Sequence, residues 1–252
     1  MKVTILGSGT STGVPMVGCR CRVCSSDDPK DKRTRASLLI RHEGRNILVD
    51  TSTDLRQQAL REGLDKVDAV LLTHPHADHV NGIDDLRGFH FLHKEIIPCY
   101  ASPATFETLS AGFRYIFFEF NGSGYTPLLS QHVVSGPFGL FGLTVTPVPL
   151  EHGMGTALGF RIGKFAYLTD CSALPDSSLK LLEGLDVLVI DGLRWTPHPF
   201  HFNIEAAIAA VAPIKPARVV LTHLTHEVSH GEQAKLPPGF EFAYDGMALD
   251  VV

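Results

Sequence analysis

A chain of 252 residues, 44% of them hydrophobic, has material for a substantial core, and we expect residues 1–252 to form one large domain. A formal net charge of -5 argues against the broad basic footprint of a duplex nucleic-acid binder, so nucleic acid is not an expected partner. Five cysteines, an odd number, with no charged and apolar leader at the start, speak against a secreted disulfide framework and point to the cytoplasm; no apolar run approaches the roughly 18 residues of a membrane span.

In chain order, residues 3–6 read as a short strand running into Gly7-Ser8-Gly9-Thr10-Ser11-Thr12-Gly13. This is not a nucleotide-binding turn: three residues, not two, separate Gly9 from Gly13, no GK[ST] follows, and Val14-Pro15 stands where a phosphate-binding helix would begin. Cys19, Cys21 and Cys24 then form a Cys-x-Cys-x-x-Cys run in a loop at 18–25. In a reduced chain this is metal-ligand spacing, one donor short of a closed tetrahedral zinc site, and the missing ligand should be a distant histidine. The basic run at 30–35 reads either as a solvated turn or, through Arg33 and Arg35, as a surface facing an anionic substrate.

Residues 37–41 and 46–49 make a hairpin about Glu43-Gly44 whose second strand ends in Asp50. That carboxylate is placed to accept the far N–H of a ligating imidazole and fix its tautomer. Thr53 or Asp54 caps a helix through Arg61, closed by Gly63. Residues 67–72 read as a strand buried on both faces that stops where Thr73-His74-Pro75-His76-Ala77-Asp78-His79 begins. His74 and His76, two apart on an extended turn, can point at one metal, while Asp78 and His79 start the next element and reach a second. A helix from His79 and a strand at 96–100 follow. Residues 103–135 form an aromatic-rich insertion that begins with a helix and continues through 113–120; it suits a pocket wall, a subunit contact or a satellite core alike.

A strand at 143–150 delivers His152, and a hairpin of 158–161 with 165–168 ends in Asp170. A buried strand at 186–190 leads into a long loop carrying His198 and His201. Asn203 caps a helix to about residue 211, and a strand at 218–221 runs into His223 and His226. The last strands lie near 241–243 and 247–251. Four apolar strands thus deliver ligand-type side chains, at His74, His152, Asp170 and His223. His74, His76 and His152 suffice for one ion and Asp78, His79 and His223 for a second, with Asp170 able to bridge both. Seven donors fit two open-sided divalent metals, zinc or manganese; in such a pair, roughly 3.5 to 4 Å apart, a shared hydroxide is positioned for attack near neutral pH.

The HxHxDH run, followed in order by His152, Asp170 and His223, resembles the metallo-beta-lactamase superfamily. That resemblance implies an α/β fold, an αββα sandwich of two mixed β-sheets flanked by helices. The opening LGSGTSTGVP, the CRCRVC run, LTHLTH and the closing YDGM are most similar to the phosphoribosyl 1,2-cyclic phosphate phosphodiesterase family of the carbon-phosphorus lyase pathway, and the similarity covers nearly the whole chain. It implies that Cys19, Cys21, Cys24 and His226 hold a structural zinc and that His201, just ahead of Asn203, is the general acid. The expected activity is hydrolysis of a small cyclic or sugar phosphodiester by the metal-bridging hydroxide, with Asp78 and Asp170 in the catalytic centre and His201 protonating the departing alkoxide. A homodimer is a further expectation of the resemblance. Residues 194–200, Arg-Trp-Thr-Pro-His-Pro-Phe, depart from the family's pattern, which bears on substrate identity rather than on hydrolysis. The other readings are a transfer-RNA 3′ endonuclease, a thioesterase or lactonase of the same superfamily, or a non-catalytic metal-binding protein like those of pyrroloquinoline quinone biosynthesis.

Overall fold

The computed structural model of the protein describes residues 1–118 and 128–251. In chain order the elements are β1 (Lys2–Gly7), β2 (Ser37–His42), β3 (Arg45–Val49), α1 (Leu55–Arg61), β4 (Ala69–Leu71), α2 (Ala77–Val80), α3 (Leu86–His93) and β5 (Ile97–Ala101). Then come α4 (Pro103–Gly112), α5 (Arg114–Phe117), β6 (Leu129–Val133), β7 (Phe138–Leu140), β8 (Leu143–His152), β9 (Gly155–Ile162) and β10 (Phe165–Leu168). The chain continues with α6 (Asp176–Leu181), β11 (Val187–Asp191), α7 (Ile204–Val211), β12 (Arg218–Thr222), β13 (Phe240–Phe242) and β14 (Ala248–Asp250).

The central strands carry unbroken apolar runs such as Ile47-Leu48-Val49 and Val187-Leu188-Val189-Ile190, and successive side chains on a strand face opposite ways, so each strand needs cover on both sides. The sandwich supplies it. Ile47, Val49, Ala69 and Leu71 point inward to meet Phe165, Tyr167, Val189 and Val220 of the second sheet. Leu48 and Val70, one residue out of phase, face an outer layer with Leu55 of α1, Leu86 of α3 and Phe106 of α4. On the far side Leu168, Leu188, Ile190 and Leu221 face Ile204 and Ala207 of α7. The two sheets run in the orders β14-β1-β2-β3-β4-β5-β6 and β13-β12-β11-β10-β9-β8-β7. Each is half antiparallel and half parallel, with β3 and β10 at the junctions. β3, β4, β8, β10, β11 and β12 all end at one rim of the sandwich.

Local chemistry accounts for the element ends. Ser102 accepts a hydrogen bond from Thr105 N with Pro103 in the first turn of α4, and Asn203 accepts from Ala206 N at the start of α7. Three expectations need correction. Asp54 precedes α1 but makes no cap; its carboxylate is taken by the Arg35 guanidinium at 2.9 Å. The helix after the histidine run begins at Ala77, not His79. It gives way near Gly82 because a side chain there would stand 1.9 Å from the Ser52 carbonyl oxygen, so only glycine lets this segment close on the Asp50 loop. The strand expected at 158–161 is eight residues long, since β9 pairs with β8 from His152↔Gly155 to Val145↔Ile162. In the aromatic insertion, Ile116 and Phe117 pack into the outer layer beside Phe106 and Leu109, while Glu119 and Phe120 lie outside the described residues. Among the described residues no helix is long and apolar enough to cross a membrane.

Of the four basic residues in the 30–35 loop, the two arginines considered for anion binding are both engaged within the fold. Arg33 is 2% exposed; its guanidinium holds Asp31 at 3.3 Å and donates to the carbonyls of Thr225 and Val228, almost two hundred residues away. Arg35 is spent on Asp54 and on the Ser11 carbonyl. Arg33 is therefore a tether that fixes the segment following β12. Replacing Arg33 by Met should lower the unfolding free energy by roughly 3–5 kcal/mol in urea titrations, because a buried carboxylate is left without its cation. Arg33→Lys should rescue only partly, since one ammonium does not reproduce a planar fork reaching two carbonyls. A loss below about 1 kcal/mol for Arg33→Met would remove the tether from the fold's account.

Candidate metal centre

Six strand ends meet at the rim. The turn after β4 carries His74 and His76, α2 carries Asp78 and His79, β8 ends in His152, Asp170 follows β10, β11 ends in Asp191, and His223 follows β12. The chain leaves three of these strands through left-handed backbone at non-glycine residues, with φ of 63° at Asp50, 52° at Asp170 and 60° at His223. Such angles disfavour side-chain-bearing residues and persist where the surroundings over-determine them. Here they turn the side chains into a common space.

Two donor sets result. His74, His76, His152 and Asp170 offer ligand atoms all within 4.8 Å of one another, as do Asp78, His79 and His223. Asp170 faces both: Oδ2 lies 3.6 Å from His74 Nε2 and 3.8 Å from His152 Nε2, whereas Oδ1 lies 3.1 Å from His79 Nε2 and 3.5 Å from His223 Nε2. Asp78 Oδ2 is 3.3 Å from His79 Nε2 and 3.5 Å from His223 Nε2. His74, His79, His223 and Asp170 are each at most 2% exposed.

Most of the rings are pinned from behind. His79 Nδ1 is 2.7 Å from Asp50 Oδ2, and Asp50 also accepts from the backbone and hydroxyl of Thr73. Thr73 Oγ1 is 3.0 Å from His74 Nδ1, and His152 Nδ1 donates to the Phe200 carbonyl at 2.9 Å. Pinning at Nδ1 turns Nε2 inward, the arrangement that orients imidazole ligands for a metal. Two rings differ: His76 turns its Nδ1 to His152 Nε2 at 3.3 Å, and His223 Nδ1 has no hydrogen-bond partner among the described residues.

The site's own polar atoms test whether cations fit. The inward Nε2 atoms of His74, His79 and His223 are buried without a hydrogen bond of acceptable geometry. Protons satisfy this set unevenly. Against the effect of burial, Asp170 and Asp78 draw the His223 imidazole up to about 9, and Asp170 and Asp50 hold His79 well above its ordinary range. His74, buried and beside the charged His79, is pushed well below. Burial would raise the Asp170 carboxyl, yet the His223 and His79 charges hold it well below the usual carboxylate range. A set that draws in positive charge, leaves buried donor nitrogens unpaired and combines imidazole with carboxylate fits divalent ions.

A second cluster lies on the far side of Arg33. The Cys19, Cys21 and Cys24 sulfurs and a ring nitrogen of His226 all fall within 4.8 Å of one another, and the cysteines are not disulfide-bonded. His226 Nδ1 is 3.4 Å from Cys19 Sγ and 3.3 Å from Cys21 Sγ. Backbone N–H groups of Met16 and Cys24 point at the sulfurs of Cys24 and Cys21. The Cys24 N–H and His226 draw the Cys21 thiol down to about 6, while burial pushes Cys24 up to about 11. Three sulfurs and one imidazole are a complete donor set for tetrahedral zinc.

His201 and Asp191 complete the rim. His201 Nδ1 lies 2.7 Å from Asp191 Oδ2, which also accepts from Cys171 N, and Asp191 is fully buried. The His201 ring stands 4.9 Å from those of His152 and His223. Asp191 was not expected here; the available signal was a fifth apolar strand ending in a carboxylate. A cleft of about 580 Å³ opens over the centre, lined by His74, His76, Asp78, His152, Asp170, His201 and His223 together with Ser11, Ala104, Met154 and Phe200.

A sandwich of two mixed sheets whose strand ends converge on histidine and carboxylate sets defines a metallo-beta-lactamase fold. Residues 45–224 match the beta-lactamase superfamily domain, and the chain belongs to that superfamily. Within it the chain stands close to the PhnP family: the crystal structure of a diphosphatase from that family superposes with a TM-score of 0.93 at 40% identity, covering 100% of this chain and 98% of the other. Zn(2+)-bound PqqB from Methylobacterium extorquens superposes with a TM-score of 0.82 at 25% identity over 100% of both chains. A protein named octanoyltransferase from Porphyromonas gingivalis is 45% identical over 98% of this chain but 51% of its own length, so the chain spans about half of that relative.

Two outcomes follow from the donor geometry. Cys21→Ala should release about one zinc per chain, read by elemental analysis, and lower the unfolding temperature, because metal binding and folding are linked; unchanged zinc content would show that the cysteines hold none. Asp170→Ala should lower metal content at the rim and abolish turnover, and near-normal activity would rule out a shared carboxylate.

Proposed function

We propose that the protein is a dinuclear metal-dependent phosphodiesterase acting on a small phosphodiester. The observation that carries this reading is Asp170, whose two oxygens each face a different donor set. His74, His76 and His152 would hold one ion, Asp78, His79 and His223 the other, and Asp170 both. The pair, when bound, supplies Lewis acidity toward phosphoryl oxygens and generates the nucleophile near neutral pH. Cys19, Cys21, Cys24 and His226 would hold a structural zinc that ties the segment after β12 to the cysteine loop.

The chain's own part is orientation and proton transfer. Asp50, Thr73 and the Phe200 carbonyl keep the ligating rings from rotating, so no reorganisation is needed during the reaction. The Asp191 carboxylate accepts the His201 Nδ1–H, which fixes the ring and leaves Nε2 for the cleft. His201 then protonates the departing ester oxygen as general acid. Similarity to a PhnP-family diphosphatase supports chemistry at phosphorus. The acyl-transfer name belongs to a relative of whose length this chain spans about half, and a thioester in the substrate panel addresses it.

Leaving-group dependence is the test. His201→Ala should slow hydrolysis of an alkyl or sugar diester by roughly 10²- to 10⁴-fold and that of an activated aryl diester far less, because a phenolate leaves unprotonated. Asp191→Asn should show the same selectivity in weaker form. His198, whose ring is 5.2 Å from that of His201, is the control and should show none. Equal slowing of both diesters by His201→Ala, with metals retained, would reassign it to binding; wild-type protein that cleaves the thioester and neither diester would overturn the phosphodiesterase.

A further inference from the structure

Outside the donor sets and His201, the cleft is lined by the hydroxyl-bearing Ser11, Thr108 and Thr156 and by apolar residues, of which Met154 and Phe200 are the large ones. Met154 is 99% exposed and Phe200 44% exposed, and both line it. Large apolar side chains displayed together at the mouth of a polar site mark contact with a ligand. Their placement is built into the fold. Gly153 and Met154 are the two-residue turn between β8 and β9, whose last pair is His152↔Gly155. Gly153 has a φ of +60°, and a Cβ on it would stand 1.9 Å from Phe200 Cδ1, so the Phe200 ring lies directly on the turn whose tip carries Met154. The Phe200 backbone is held on both sides, its carbonyl by His152 Nδ1 and its N–H by His198 Nδ1. The ring is a fixed platform, and methionine is a pliable cover for an irregular apolar group.

Charge narrows the class further. No lysine or arginine lines the cleft among the described residues, and residues 119–127 contain neither. Arg35, which reaches the carbonyl of the cleft residue Ser11, is held by Asp54; Arg194, on the loop that carries Phe200, is held by Glu227. A second phosphate on the substrate would be desolvated here without a side-chain cation to meet it.

Resting on the phosphodiesterase reading, we infer that the cleft takes a singly charged phosphodiester whose non-leaving ester group presents a flat apolar face, clamped between Met154 and Phe200. Phenyl 4-nitrophenyl phosphate and methyl 4-nitrophenyl phosphate share the reacting bond and the leaving group and differ only in the clamped group. With the metal-loaded protein, KM should be roughly tenfold lower for the phenyl ester. Met154→Ala and Phe200→Ala should each raise that KM toward the methyl value, with metal content unchanged. Equal KM values for the two esters in the wild type, or a lower KM for diphenyl diphosphate than for the phenyl monophosphate diester, would overturn the clamp while leaving the phosphodiesterase standing. If neither diester is hydrolysed, the phosphodiesterase reading falls and the clamp is read by calorimetry. Phenylphosphonate should then bind roughly tenfold tighter than methylphosphonate, and equal affinities would overturn it.

Discussion

A carboxylate buried among imidazoles is the constraint on which the rest of the structure depends. Asp170 sits out of water with nitrogen atoms of five histidines within 4.0 Å of its two oxygens. Burying an unpaired charge is costly, and two protons shared among these rings neutralise it only by charging His79 and His223 side by side. Divalent cations would relieve both difficulties at once, replacing protons that repel one another by ions that the donors could share. The hydrogen bonds behind the rings follow from the same need: a nitrogen facing the centre contributes only if its ring cannot turn away.

The sheet lattice makes this affordable. Strands that run in one direction and end at one rim bring distant parts of the chain within a few ångströms, and the fully buried strand interiors leave little freedom at the ends. Left-handed backbone at Asp50, Asp170 and His223 survives in that setting because each residue is buried just after a strand, and Asp50 is held further by Thr73 and His79.

The metal-binding part of this arrangement was legible because it is written in local spacing. Histidines two apart before an aspartate and a histidine, and cysteines at intervals of two and three, have few uses other than coordination. Strands buried on both faces were legible for a related reason, since an unbroken apolar run of five residues has one solution in an α/β fold. What escaped notice depends on contacts made far along the chain. Arg33 looks like a member of a solvated basic turn until the segment at 225–228 closes over it. Asp191 belongs to no cluster in sequence, and its role comes from His201 ten residues later folding back onto it. The Phe200 carbonyl that steadies His152 has no side-chain signature at all. Strands β6 and β7 are short, lie at sheet edges and carry exposed polar or glycine positions, so their periodicity is weak.

The matching layout of the two sheets has a consequence for how the molecule holds together. β3 and β10 occupy the same place in their sheets, each with antiparallel neighbours on one side and parallel on the other, and each is followed by a left-handed aspartate, Asp50 or Asp170. The chain is two similar halves stacked back to back, with one aspartate set among the donors and its counterpart bracing His79 one layer behind. Three donor clusters are split across that divide: His74 and His76 with His152 and Asp170, Asp78 and His79 with His223, and three cysteines with His226. Neither half can assemble any of the three alone. Each is a clasp, and an ion in any of them fastens one half of the molecule to the other at its open rim, where the apolar layer between the sheets gives out.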